Sequence, residues 1–177
     1  MRLRAVAGRG RLKESLLFYQ RLFEALAKHE VRYLLVGGLA VNLHGIPRMT
    51  MDVDVVIALD PDNIDRFIDT AQTLMLRPVL PVALADLADP IKRREWVEKR
   101  NLVAFALREQ DSNTPTIDLI LAVNLEFDAA YGRRVVRDLD GVTISLASVP
   151  DLIAMKRQSG RPQDEADIEQ LEKLRYS

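Results

Sequence analysis

The sequence contains no cysteine and only two histidines, His29 and His44. The first absence excludes disulfides, thiolate zinc sites, iron–sulfur clusters and cysteine nucleophiles. The second leaves little for a histidine-based metal site or a Ser–His relay. Long apolar runs are also missing. Residues 53–59, interrupted by Asp54, fall far short of the roughly 20 residues needed to cross a bilayer. No apolar run near the start resembles a secretory signal. The expectation is a cytoplasmic protein with no membrane partner.

What is present is a core. The 177 residues are 48% apolar, which suits one ordinary domain and is too rich for a chain disordered throughout. The net charge of −1 hides an asymmetry: Arg2, Arg4, Arg9, Arg11 and Lys13 precede the first acid, Glu14. Residues 1–13 are therefore read as a basic, flexible N-terminal arm, and 14–177 as the domain. A basic arm on an acidic body has the charge to touch nucleic acid, but a solvated tail is the simpler reading.

Hydrophobic spacing and turn residues give the coarse order. Leu12, Leu16, Tyr19, Phe23 and Leu26 recur at helical steps, ending near Lys28 and His29. A short strand over 33–36 meets Gly37-Gly38, which opens a helix through about His44. A loop over 45–50 leads to a strand over 52–59. Asp60-Pro61 and Asp89-Pro90 each pair an N-cap with a first-turn proline and start helices to about Leu74 and Lys99. Residues 77–87 read as irregular, or an edge strand at best. Two antiparallel strands follow over 102–108 and 116–121, then a hairpin around Asp140-Gly141. Ser148 caps a helix that stops at Gly160, and Pro162 opens the last one. The predicted class is α/β (α+β): a small mixed sheet flanked by helices, with a helical C-terminal end.

The chemistry concentrates in two places. Asp52 and Asp54 sit two apart in a strand, so both point to one face. Two like charges there repel, and a divalent cation relieves them; oxygen-only ligands favour Mg²⁺ or Mn²⁺. Solvated acids at a strand end would look the same in sequence. Asp118 adds weight, because it stands alone within the apolar run Thr116-Ile117-Asp118-Leu119-Ile120-Leu121. If the two strands are neighbours, three carboxylates gather as in two-metal phosphoryl transfer. Gly37-Gly38 lets backbone approach phosphates, although any tight strand-to-helix turn can need glycine.

Taken together, Gly37-Gly38, Asp52-x-Asp54 and Asp118 resemble the nucleotidyltransferase superfamily with the DNA polymerase β-like fold. The spelling Val36-Gly37-Gly38-Leu39-Ala40-Val41, Gly45, Arg48-x-Thr50-x-Asp52-Val53-Asp54 is similar to minimal bacterial members related to the AbiEii toxin group. So is Asp151-Leu152-Ile153-Ala154-Met155-Lys156, followed by Arg161-Pro162-x-Asp164-x-x-Asp167. The resemblance implies that Asp52, Asp54 and Asp118 hold metal, and that Asp118 also takes the proton of an acceptor hydroxyl. It implies that Gly37 and Gly38 cradle the phosphates of a nucleoside triphosphate. Arg48, Thr50 and Lys156 are further nucleotide-binding candidates. One departure stands out: the superfamily motif has Gly-Ser where this chain has Gly37-Gly38, so a hydroxyl is missing at residue 38.

The function so implied is transfer of a nucleoside monophosphate to a hydroxyl of a tRNA, a protein or a small molecule, with release of pyrophosphate. A toxin paired with an antitoxin, or a subunit that works with a helical substrate-binding partner, fits the same resemblance. The alternative is a non-catalytic module that binds nucleotide or partner and retains the fold. Arg48 has a structural reading too, as the partner of a nearby acid; so does Lys156, as one more helix cation. For Arg161 and Asp164 a clamp on the turn is the favoured reading. A basic patch of Lys92, Arg93, Arg94, Lys99 and Arg100 around Trp96 could stack an RNA base, but a lone tryptophan is more often core. His44, without a partner in sequence, carries little information.

Overall fold

A computed structural model describes residues 2–110 and 114–175, with the side chains of 14–110 and 114–174. The side chains of the basic arm, residues 1–13, lie outside the described set. The order is α1 (Arg2–Lys28), β1 (Tyr33–Val36), α2 (Gly37–Leu43), β2 (Val53–Ile57), α3 (Pro61–Thr73) and β3 (Leu76–Pro78). A 3-10 turn at Leu84–Ala88 precedes α4 (Pro90–Arg100), β4 (Ala104–Glu109), β5 (Ile117–Ile120) and α5 (Phe127–Gly132). Then come β6 (Val135–Leu139), β7 (Val142–Leu146), α6 (Val149–Ser159) and α7 (Pro162–Arg175).

Among the described residues seven strands form one mixed sheet in the order β3-β4-β5-β2-β1-β7-β6. Strand β2 runs antiparallel to β1 and parallel to β5, and β1 runs parallel to β7. The mixed sheet with flanking and terminal helices agrees with the sequence expectation, though the sheet is larger than expected. Residues 76–78 do form an edge strand, and α5 is an element that the sequence patterning misses.

The caps behave as their residue types dictate. The Asp60 carboxylate accepts from the Asn63 amide at 3.0 Å, and Asp89 accepts from Ile91 at 2.8 Å. Asp140 and Gly141 take φ of +53° and +86°, the turn that joins β6 to β7. Gly160 ends α6 at φ +61°.

Strand alternation divides the sheet into two unlike faces. Leu35, Val55, Leu119 and Phe105 lie side by side across β1, β2, β5 and β4, and all are buried. Helix α1 covers this face through Phe23, whose ring stacks on Tyr33 at 6.1 Å. Helix α4 covers it through Trp96, stacked on Phe105 at 5.2 Å. Trp96 is therefore core and not a base-stacking platform. The basic patch around it is partly neutralised, since Lys92 pairs with Asp86 and Lys99 with Glu95; Arg93 is engaged by the Leu87 carbonyl. Shifting one residue along each strand gives the other row: Val36, Asp54, Asp118 and Ala106. The site lies on that side. No helix among the described residues is long and apolar enough to cross a membrane.

Candidate active site

Asp54 and Asp118 are register partners on the parallel strands β2 and β5, so their side chains leave the same face of the sheet next to each other. Asp52 precedes them by one alternation at the mouth of β2. It is exposed, whereas Asp54 and Asp118 are half-buried. The three carboxylates sense one another. Burial first, then the charges of Asp118 and Asp52, push the Asp54 carboxyl up to about 6. Burial and then Asp52 raise that of Asp118. None of the three has an ion-pair partner among the described residues. They share a face rather than enclose a point, and no three acidic or imidazole groups among the described residues converge tightly enough to cage an ion as they stand. Even so, the donor chemistry fits a hard divalent ion: oxygen only, negative, and without a cation paired to it among the described residues.

The turn between β1 and α2 closes over Asp54. Gly37 has φ +66°, and a Cβ built on it would lie 1.9 Å from the Asp54 Oδ2. Glycine is required there twice, by conformation and by space. Beside it opens a cleft of about 520 Å³ in which Gly37, Gly38, Arg48, Asp54, Lys156 and Arg161 face one another. One wall is apolar and includes Val103, Ile120, Val123 and Met155, while Gln158, Ser159 and Asp164 add polar groups to the lining. Asp52 and Asp118 lie outside that lining.

Behind the cleft stands a buried ion-pair network. The Lys156 ammonium donates to Asp164 at 2.9 Å and to Asp167 at 2.6 Å, and Arg48 donates to the same Asp167 carboxylate. Asp164 also accepts from the Ser159 hydroxyl at 2.7 Å and from the Arg161 amide at 3.4 Å. Lys156 thus faces the cleft but is already held by two carboxylates. The clamp expected at the turn exists, through the backbone of Arg161. Its guanidinium is left to act on Asp54, whose pKa it lowers along with Lys156.

Three contributors escape the sequence reading. Arg161 reads there only as a structural clamp. Tyr19 reads as part of a helix face, yet its hydroxyl donates to the Met51 carbonyl at 2.8 Å and pins the chain just before Asp52. Asn42 accepts from the Arg48 amide at 2.6 Å and donates to the Arg48 carbonyl at 2.8 Å, which fixes the loop before β2. No local pattern marks such contacts. His44 proves structural, its Nε2 bonded to the Ala147 carbonyl at 2.8 Å.

Residues 15–175 match the family model described as Nucleotidyltransferase of unknown function (DUF6036). No curated protein matches the sequence. Among solved structures, the chain is similar to the lincosamide antibiotic adenylyltransferase LnuA bound to lincomycin, with 18% identity and a TM-score of 0.55 over 89% of this chain and 95% of that one. An antigenic nucleotidyltransferase-like protein from Paracoccidioides brasiliensis matches with 18% identity and a TM-score of 0.54, over 93% and 74%. ANT(2")-Ia in complex with adenylyl-2"-tobramycin matches with 13% identity and a TM-score of 0.51, over 90% and 94%. The fold is the nucleotidyltransferase fold.

Proposed function

Because the chain belongs to the nucleotidyltransferase family DUF6036, we propose that it transfers a nucleoside monophosphate from a nucleoside triphosphate to an acceptor hydroxyl. The observation that carries this reading is the register of Asp54 with Asp118, one alternation beyond Asp52 and directly beneath the Gly37 turn.

In this reading Asp52, Asp54 and Asp118 hold Mg²⁺ or Mn²⁺, which when bound neutralises phosphate charge. The chain's own groups do the positioning. Gly37 and Gly38 bring backbone close to the phosphates, with Arg48 and Arg161 on the flanks. The apolar wall at Val103, Ile120 and Val123 receives the base. The acceptor oxygen bonds to the α-phosphorus as the bond to the bridging oxygen breaks, and pyrophosphate leaves. Asp118 takes the acceptor's proton as general base. Positioning and charge neutralisation suffice for such a loose transition state.

The test is incubation with each labelled triphosphate, Mg²⁺, and separate RNA, protein and small-molecule hydroxyl acceptors. Label on RNA or protein points to a toxin of the antitoxin-paired kind, and label on a drug hydroxyl to a modifying enzyme. Binding of triphosphate without transfer to any acceptor identifies the non-catalytic module instead.

A further inference from the structure

Gly38 poses a question that Gly37 does not. Its φ is not positive, so its backbone conformation is open to any residue. Inside helix α2 a glycine costs about 1 kcal/mol relative to alanine. Space explains it: a Cβ at residue 38 would lie 2.9 Å from the Thr50 Oγ1, 3.0 Å from the Thr50 Cβ and 3.3 Å from the Arg48 Cζ. Two side chains from the approach to β2 occupy the volume that residue 38 leaves free.

The approach is alternating. Met49 and Met51 face solvent, 96% and 48% exposed, while Arg48 and Thr50 turn inward. They share the parity of Asp52 and Asp54. Asn42 holds the Arg48 end of this run, and Tyr19 holds the Met51 end. A half-buried threonine hydroxyl ordinarily bonds to a nearby backbone carbonyl. That of Thr50 has no hydrogen-bond partner among the described residues, and a guanidinium stands beside it over the same glycine. An unengaged donor beside a guanidinium, over a glycine that lines the cleft, is suited to a phosphate oxygen.

We infer that the Thr50 hydroxyl is a phosphate ligand for the nucleoside triphosphate, standing in the place that a side chain at residue 38 would fill. Residue 38 is glycine so that this hydroxyl can stand there. The inference rests on the nucleotidyltransferase reading and makes positions 38 and 50 exchangeable donors.

The experiment measures calorimetric affinity for the four ribonucleoside triphosphates with Mg²⁺, alongside melting temperature. For a triphosphate that the wild type binds, Thr50→Val removes the hydroxyl at nearly constant volume and weakens binding about tenfold or more, the effect of losing a hydrogen bond to a charged group. Thr50→Ser retains the donor and retains the affinity. Thr50→Gly binds weakly, and Gly38→Ser in that background recovers affinity, because the new hydroxyl enters the vacated space. Equal affinity of wild type and Thr50→Val overturns this inference and leaves the nucleotidyltransferase reading standing. If Thr50→Val does not fold, absence of any recovery in the Gly38→Ser, Thr50→Gly double variant overturns it. A wild type that binds none of the four overturns both readings.

Discussion

Gly37→Ala is the sharpest structural perturbation of the site, because two separable costs meet at one methyl group. The first is conformational. At φ +66° an L-residue is held in the left-handed region, at a cost of roughly 1–2 kcal/mol. The second is steric. The new Cβ would stand 1.9 Å from the Asp54 Oδ2, 2.6 Å from its Cγ and 2.8 Å from its Cβ. Rotation of the carboxylate cannot clear all three, since the last atom sits on the backbone of β2. Overpacking of this kind adds about 1–3 kcal/mol.

The molecule supplies its own control. Gly160 has φ +61°, and a methyl added there would meet nothing within 4 Å, so Gly160→Ala carries the conformational cost alone. Urea unfolding with a chelator present should show Gly160→Ala destabilised by roughly 1–2 kcal/mol and Gly37→Ala by roughly 2–5 kcal/mol. In an Asp54→Ala background, which removes the two shortest contacts, the Gly37→Ala cost should shrink toward that of Gly160→Ala. Equal costs for the two glycine variants, or no coupling with Asp54, would refute the interlock between turn and carboxylate.

Further expectations concern the carboxylates and their support. With its carboxyl raised to about 6, Asp54 binds a proton more tightly in the folded chain than in the unfolded one, so metal-free stability falls as pH rises from about 4 to 6. The loss is up to about 3 kcal/mol; Asp54→Asn should abolish it and abolish transfer, and unfolding curves across that pH range that match the wild type would contradict this. Asp118→Ala should keep much of the triphosphate affinity and lose turnover by about two orders of magnitude or more, as calorimetry and single-turnover assays on one preparation would report. Tyr19→Phe should cost about 1 kcal/mol of stability through the lost bond to the Met51 carbonyl; an unchanged denaturation midpoint would show that contact to be idle.

Much of the fold is legible in the sequence, for local reasons. Asp60-Pro61, Asp89-Pro90, Ser148 and Asp140-Gly141 announce their caps and turn because one or two residues determine them. The pairing of β2 with β5 is only a condition in the sequence, since nothing local selects which strands become neighbours across more than sixty residues. Strand alternation carries the rest, putting Asp54 and Asp118 on one face once the register is known. Helix α5 escapes because its six residues, flanked by irregular chain, show too little of a 3.6-residue period. Long-range polar contacts such as Tyr19 with Met51 have no sequence signature at all. Lys156 reads in the sequence as phosphate ligand and as structural cation alike, a duality of which the structure shows the structural half. Its ammonium faces the cleft while two carboxylates hold it from behind.

The same duality sets the electrostatics of the whole site. Lys156 and Arg48 are matched by Asp164 and Asp167 in a buried block where each charge has a partner. Removing Lys156 would take the ion pair from Asp164, and removing Asp167 would take it from Arg48, so the block fixes the junction of α6 and α7 against the loop before β2. It contributes little net charge to the cleft. Asp52, Asp54 and Asp118 remain, and Arg161 is the cation outside the block whose charge reaches Asp54. The site without ligands is therefore negative, and a bare triphosphate entering it meets repulsion from the very carboxylates that its reaction needs. The same field attracts divalent cations. Nucleotide and cation must then raise each other's affinity by the same factor, because a coupling free energy between two ligands is reciprocal. Tight binding of triphosphate in chelator would break that logic, since it would require a positive site where the structure places three acids with no ion-pair partner among the described residues.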